Sequence, residues 1–386
     1  MLRRTFLIGA ASAVALRAED LRARGRRISE EAIGIDSHID TIQGVLMGGA
    51  DISRRLDRGH VDIPRLHEGG IKAPFFALFV PVYYKGADAV RRTLDLRDAM
   101  QNILDANADK IELARNSSDI VRIVKSGKIS ALLTIEGGHQ IDDDLAVLRM
   151  YYRLGIRSMT LSHFRNNNWA DSSTDKPVHN GLTDFGKDVV REMNRLGMMV
   201  DVSHVSDKTF FDTVAVSSKP VILSHSSCRA ISDVPRNASD EMLRALAANG
   251  GVIGINFGEG FINQKDAAAL RKIVASPSQA PDLTGKALDE YAERGFHEEF
   301  GKRLPVAATV QDAAAHVDHA VKVAGIDHVG IGSDFDGIAG PPKGLDDVSK
   351  MPNLIAELLK RDYSDDNIKK IFGGNYLRLI REVTGA

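Results

Sequence analysis

The sequence contains a single cysteine, Cys228, and this scarcity excludes two kinds of structure. One thiol cannot form an internal disulfide, and it cannot supply a zinc module built on several cysteines. If the chain binds a metal ion, the ligands must therefore be histidines and carboxylates.

The sequence also lacks an excess of one charge and lacks long apolar runs. Lys plus Arg number 50 against 52 for Asp plus Glu, and no basic block stands out, so we expect no nucleic-acid partner. No apolar run reaches the ~18 residues of a membrane span, so we expect no stable membrane anchor. Hydrophobic residues make up 43% of the 386 positions, which is typical of a globular protein.

Residues 1–20 have the order of an export signal. Arg3 and Arg4 precede an apolar, small-residue stretch from Phe6 to Leu16, and small and charged residues follow. The pair of arginines resembles the twin-arginine motif. We therefore predict a periplasmic or secreted protein, or a cytoplasmic one if the signal is not used. An amphipathic N-terminal helix is the alternative.

Eight short apolar segments alternate with amphipathic ones. This order predicts an α/β fold, a (β/α)8 TIM barrel, formed by one domain over residues 30–386. An open doubly wound sheet is the alternative, but no G-x-G-x-x-G follows the first segment. An excursion at about 258–305 is too long for a tight loop, and we expect a lid or a contact in a homodimer. The segments are residues 32–38, 73–80, 129–136, 158–163, 198–204, 220–225, 252–257 and 328–334.

Histidines and carboxylates end most of these segments. In such a barrel the carboxyl ends of the strands converge on one mouth, where active sites are built. Buried ionisable groups are costly unless they are paired or coordinated, so a cluster this dense indicates bound cations. The residues concerned are His38, Asp40, Glu136, His163, His204, His225 and Asp334.

A single motif within this set is weak evidence. The H-x-D triplet occurs three times, and chance would give about one, so we expect the other two to be structural. The triplets are His38–Asp40, His60–Asp62 and His316–Asp318.

Imidazole and carboxylate ligands without thiolate favour Zn²⁺, with Mn²⁺ or Co²⁺ as alternatives. The number of candidate ligands favours two ions that share a carboxylate. In barrels of this type a carbamylated lysine at a strand end can bridge two metal ions, but no lysine ends any of the eight segments. Glu136 is therefore the natural bridge.

The same residues resemble the membrane (renal) dipeptidase family of binuclear zinc peptidases. The resemblance runs from about residue 30 to the C-terminus and rests on IDSHID, LLTIEGGHQI, SMTLSHFRNNNWADSS, NRLGMMVDVSHVS, PVILSHSS, VPRN and GIGSDFDG. It implies that His38 and Asp40 bind one zinc ion, that His204 and His225 bind the other, and that Glu136 bridges them. It also implies that His163 contacts the scissile carbonyl or its oxyanion, Arg236 the substrate carboxylate, and Asp334 the substrate amine and a proton in transfer.

The sequence thus predicts a zinc-dependent dipeptidase acting on small peptides, including those with a D-residue at the C-terminal position. In the expected mechanism a hydroxide held between two zinc ions attacks the peptide carbonyl. One alternative is a related barrel amidohydrolase that acts on N-acyl amino acids, lactams or lactones. Another is a binding protein that retains the barrel without turnover.

Overall fold

The computed structural model describes residues 20–267, 282–299 and 306–385. The predicted export signal lies outside the described residues except for Asp20. Parts of the predicted excursion, residues 268–281 and 300–305, lie outside them as well. Within the described residues, no helix is long and apolar enough to cross a bilayer.

Eight parallel strands close into a barrel, which confirms the predicted fold. Strand β1 pairs with β2, β2 pairs with β4, and β4 to β9 pair in order until β9 returns to β1. The open sheet is therefore wrong. The described strands are β1 Gly34–Ile39, β2 Ile71–Phe79, β3 Ile111–Leu113, β4 Ile129–Glu136, β5 Ile156–Thr160, β6 Met199–Asp201, β7 Ile222–Ser226, β8 Val252–Ile255 and β9 Val329–Ile331.

Among the described strands, β3 is the one that the sequence pattern does not predict. Its three residues pair with the start of β4, outside the closed ring. Its residues are Ile-Glu-Leu and only Ile111 is buried, so the segment has too short an apolar run to be recognised.

Helices cover the outside of the barrel. Many begin at a Ser, Thr, Asn or Asp whose side chain accepts a hydrogen bond from the first turn, such as Thr183 and Ser239. They are α1 20–31, α2 Thr41–Gly48, α3 Ile63–Gly69, α4 Ala87–Ala106, α5 Ser117–Lys125, α6 Leu145–Arg153, α7 Asp184–Leu196, α8 Asp207–Val216, α9 Asp240–Ala248, α10 Glu259–Ile262, α11 Gly285–Glu299, α12 Val310–Ala324, α13 Met351–Lys360, α14 Asp365–Lys369 and α15 Asn375–Thr384.

The C-terminal helix α15 closes the amino-terminal end of the barrel. The ring of Tyr376 enters the barrel between strands, and a Cβ atom at Gly330 would lie 2.4 Å from that ring. The buried apolar cluster at this end also contains Ile35, Phe75, Leu132, Met199, Ile222, Val252, Leu379, Ile380 and Val383. The site described next therefore has only one open end.

Helix α11 belongs to the predicted excursion and lies beside the other end of the barrel. Its Asp289 accepts a hydrogen bond from the Tyr84 hydroxyl at 2.9 Å and forms an ion pair with Arg91 at 2.9 Å. These contacts hold the helix against α4 and the segment after β2. Whether the excursion also forms a homodimer contact stays a prediction.

Candidate metal centre

The predicted site residues meet at the carboxyl end of the barrel because the parallel strands deliver them there. His38 and His225 lie within β1 and β7, and Glu136 is the last residue of β4. His204 and Asp334 follow β6 and β9 by three residues, with left-handed backbone φ angles of 67° and 63°. Such conformations cost non-glycine residues about 1–3 kcal/mol and are concentrated at functional sites.

Glu136 is the centre of this arrangement. Its Oε1 atom lies 3.0 Å from His204 Nε2, 3.1 Å from His225 Nε2 and 3.6 Å from His163 Nε2. Its Oε2 atom lies 3.4 Å from His38 Nε2. All five side chains are buried. We call these five residues the Glu136 cluster.

The protonation states suit metal binding. Burial lowers the pKa of His163 to about 3 and lowers that of His204 and His225, so these imidazoles are neutral with lone pairs available. Burial alone would raise the pKa of Glu136, but the facing imidazole of His38 holds it well below its usual range. Burial lowers the pKa of His38, but the carboxylates of Glu136 and Asp40 raise it well above its usual value, so this imidazole must release its proton to bind a cation. Three neutral imidazoles beside a carboxylate are donors that divalent cations take.

Buried polar atoms without hydrogen-bond partners support the same assignment. They include Asp40 Oδ1 and His38 Nε2, the ring atom that faces Glu136. An unpaired buried polar group is costly, so a cluster of them implies a partner of another kind. Three groups of side chains bring ligand atoms within 4.8 Å of one another, and Glu136 is shared by two of them: His38–Glu136–His225, Glu136–His163–His204 and His38–Asp40–Asp334. The residues present therefore fit a binuclear metal site.

The carboxylates of Asp40 and Asp334 lie together at the edge of the Glu136 cluster. Asp40 Oδ2 is 3.4 Å from His38 Nε2, and the Asn256 amide donates to Asp334 Oδ2 at 2.9 Å. A Cβ atom at Gly337 would lie 2.3 Å from Asp40 and 2.6 Å from Asp334, so only glycine fits there. Burial raises the pKa of Asp334 to about 6.

Asp201 is a residue that the sequence analysis missed. It ends β6, is fully buried, and accepts hydrogen bonds from the backbone N–H groups of Ser203 and Ser224 and from the hydroxyls of Thr160 and Ser224. The Ser224 hydroxyl in turn lies 2.7 Å from His225 Nδ1. These hydrogen bonds from Asp201 through Ser224 to Nδ1 leave His225 Nε2 directed at Glu136. They fix the orientation of the ring, as hydrogen-bond partners behind metal-ligating histidines do.

Arg236 lies at the carboxyl end of β7, beside His225. It is 4% exposed, and it donates to the Ser226 hydroxyl and to the His225 carbonyl. Its Nε atom is buried without a hydrogen-bond partner. Burial lowers its pKa to about 10, so the guanidinium is still charged at neutral pH.

A cavity of about 710 Å³ opens beside the Glu136 cluster. Helix α11 forms one wall of it, the segment after β2 another, and the Asp336–Ala339 turn a third. Its lining residues include Asp40, Met47, Tyr83, Tyr291, Gly295, Gly337 and Ile338.

The two other H-x-D triplets lie outside the Glu136 cluster, and His60, which accepts the Asp336 backbone N–H at 3.0 Å, lines the cavity. Asp62 accepts the Arg65 backbone N–H at 2.8 Å and so caps helix α3. His316 accepts the backbone N–H of Cys228 at 2.9 Å, and Asp318 pairs with Arg361.

The closed parallel barrel and the histidine–carboxylate cluster at its carboxyl end define a TIM-barrel metallohydrolase. Residues 22–386 match the family described as membrane dipeptidase, peptidase family M19. The chain belongs to this family, and it is a metallodipeptidase, a hydrolase of peptide bonds.

Known relatives agree in sequence and in fold. The chain is 40% identical over 335 residues to dipeptidase tcpJ of Claviceps purpurea, covering 84% of this chain and 69% of that protein. It is 38% identical over 341 residues to dipeptidase verJ of Clonostachys rogersoniana, covering 86% of this chain and 77% of that protein. The crystal structure of a probable dipeptidase, PvdM of Pseudomonas aeruginosa, superimposes with a TM-score of 0.79 at 26% identity, covering 95% of this chain and 99% of that one.

Proposed function

We propose that this metallodipeptidase binds two zinc ions and hydrolyses free dipeptides, including those with a D-residue at the C-terminal position. The observation that carries the proposal is the sharing of Glu136 between two groups of potential ligands. In the proposed assignment, Glu136 would contact both ions and His38 and Asp40 would hold one of them. His204 and His225, whose Nε2 atoms lie 2.9 Å apart, would hold the other.

Two divalent ions at such a site supply Lewis acidity and lower the pKa of a bound water. Side chains of the protein bind the two charged ends of the substrate, transfer the proton and stabilise the oxyanion. Arg236 has a buried, unpartnered Nε–H, and a guanidinium can grip a carboxylate through two parallel hydrogen bonds. It binds the C-terminal carboxylate of the dipeptide.

Asp334 binds the free amine at the other end of the substrate. Its Oδ2 atom is engaged by Asn256, which leaves Oδ1 to contact the substrate's free amine. The same carboxylate takes a proton from the attacking water and passes it to the nitrogen of the departing amino acid. His163 lies between Phe79 and Phe164, with ring centroids 4.8 and 4.3 Å away. Those rings exclude water, and the neutral imidazole donates a hydrogen bond to the oxyanion.

Metal analysis with a substrate panel tests the proposal. The purified protein should contain close to two equivalents of zinc, and chelation should abolish hydrolysis of Ala-Ala. L-Ala-L-Ala and L-Ala-D-Ala should both be cleaved, whereas N-acetyl-alanine and lactones should not. Full activity in metal-free protein, or turnover of the acyl amino acid or lactone alone, would contradict it.

Substrate charge provides a second test. Amidating the dipeptide C-terminus should cost wild type about 2–3 kcal/mol in kcat/KM, as expected for a hydrogen-bonded charge. The same amidation should cost Arg236→Ala much less. Equal losses in both proteins would show that Arg236 does not contact the carboxylate.

We also propose that the enzyme is exported through its N-terminal segment, because Arg3 and Arg4 precede an apolar stretch. Replacing both arginines with lysine should leave the precursor inside the cell. Unchanged delivery of the mature protein would contradict the twin-arginine route.

A further inference from the structure

The large cavity adjoins only one end of the proposed substrate. Its wall includes Asp40 and Gly337, and Gly337 is packed against the Asp334 carboxylate, which binds the substrate amine. Arg236, which binds the carboxylate, is not among the described residues that line the cavity. The cavity therefore faces the side chain of the N-terminal residue of a dipeptide.

The size of the cavity exceeds what small side chains need. At about 710 Å³ it falls among pockets of about 300–1,000 Å³ that enclose ligands of drug size. A dipeptide with two small side chains would leave much of this space to water.

Apolar and aromatic groups provide more of the cavity wall than polar groups do, although charged residues such as Arg58, Arg92 and Arg294 also line it. Met47 and Ile338 lie on two sides, and the rings of Tyr83 and Tyr291 meet edge to face with centroids 5.6 Å apart. The Asp289 contacts with Tyr84 and Arg91 hold helix α11, and thus Tyr291, in place. Burying apolar surface against such walls contributes about 25 cal/mol per Å².

From the position, volume and lining of this cavity, we infer that the preferred substrates are dipeptides whose N-terminal residue carries a large apolar or aromatic side chain. This inference rests on the proposed function, because the orientation of the substrate follows from Asp334 and Arg236.

Two matched series of dipeptides test the inference with the zinc-loaded enzyme. In the series Xaa-Gly, with Xaa as Ala, Leu, Phe or Trp, kcat/KM should rise at least about tenfold from the smallest to the larger side chains. In the reversed series Gly-Xaa it should not rise in this way. A flat Xaa-Gly series would overturn the inference. Failure to hydrolyse any dipeptide of either series would instead contradict the proposed function.

Gly295 offers a way to fill the cavity from helix α11. It lines the cavity, and a Cβ atom there meets no atom within 4 Å. Gly295→Trp should lower the ratio of kcat/KM for Phe-Gly to that for Ala-Gly about tenfold. Glu290→Trp is the matched control, because Glu290 is exposed on the same helix and does not line the cavity, and it should leave the ratio unchanged.

A second variant decides the question if Gly295→Trp does not fold. Tyr291→Ala removes an aromatic wall, and it should raise KM for Phe-Gly more than for Ala-Gly. An unchanged Phe-Gly to Ala-Gly ratio in Tyr291→Ala, or equal ratios in the two tryptophan variants, would show that this cavity does not select the side chain.

Discussion

The two ends of the barrel are made by the same eight strands, yet prominent buried polar groups at the two ends differ in whether they have hydrogen-bond partners. At the closed end, the Tyr376 hydroxyl lies 2.7 Å from Ser37 Oγ and 3.0 Å from the Ile331 carbonyl oxygen, within an apolar cluster. At the open end, buried atoms such as Asp40 Oδ1 and His38 Nε2 have no hydrogen-bond partner.

This difference indicates that the closed end contributes mainly to the stability of the fold and the open end mainly to function. A satisfied polar group surrounded by apolar side chains stabilises the fold, whereas a cluster of unsatisfied charged groups destabilises it until a ligand binds. The closed end therefore stabilises the barrel, and the open end favours the binding of cations. Substitutions at the two ends should consequently affect different measurements.

The largest expected effect is that of Glu136→Ala at the open end. Because Glu136 faces both groups of ligands, the variant should lose bound metal and more than about 1000-fold in kcat/KM, exceeding the loss of a single oriented donor. Elemental analysis and dipeptide kinetics measure this. Glu112→Ala, a surface change on β3, is the control and should keep both ions. Near-normal activity with two bound ions in Glu136→Ala would show that the bridge is misassigned.

At the closed end, Tyr376→Ala should cost about 3–5 kcal/mol in the free energy of unfolding, because it leaves a cavity where a large ring was buried. Chemical denaturation of the metal-free protein measures this, with the exposed Val178→Ala as control. Protein that is folded at low temperature should bind metal as wild type does. A loss of metal affinity in folded Tyr376→Ala would show that the two ends are not separate.

The sequence predicted the open end better than the closed end, and the reason is geometric. Parallel strands bring their carboxyl ends together, so His38, Glu136 and His225 could be grouped from strand ends alone. No comparable rule places Tyr376, because one aromatic residue in an amphipathic helix has the same pattern whether it covers a barrel or packs on a surface.

The interactions that the sequence did not predict are those that need pairs of distant residues. Asp201 and Ser224 lie in segments read only as strands, and their link to His225 depends on the pairing of β6 with β7. The substrate cavity combines α11 with segments more than 200 residues away along the chain, such as Tyr83. Periodicity and spacing carry no information about such contacts.

Asp201 ends β6 and contacts the candidate ligand His225 through Ser224, so it tests whether a buried group of the barrel also affects metal binding. Asp201 Oδ2 accepts the Thr160 and Ser224 hydroxyls, and Oδ1 accepts the backbone N–H groups of Ser203 and Ser224. Asp201→Asn puts an amide nitrogen, which cannot accept a hydrogen bond, in place of one of these two oxygens, so the His225 ring should be held less firmly. Metal affinity should fall about 10–100-fold, the usual loss when an outer partner of a ligand is changed. Competition with a chromophoric chelator measures it. Asp318→Asn, on the outer helix α12, is the control. Unchanged affinity in Asp201→Asn would show that Asp201 supports only the barrel.

The smallest expected effect is that of the Tyr376 hydroxyl alone. Tyr376→Phe keeps the ring and removes the contacts with Ser37 and Ile331, so the free energy of unfolding should fall by about 1 kcal/mol, without a change in metal affinity. A double-mutant cycle with Ser37→Ala isolates the shared contact. Because the two hydroxyls lie 2.7 Å apart, the losses of the single variants should sum to more than the loss of the double variant. Strictly additive losses would show that the closed end owes its stability to the buried ring and not to this hydrogen bond.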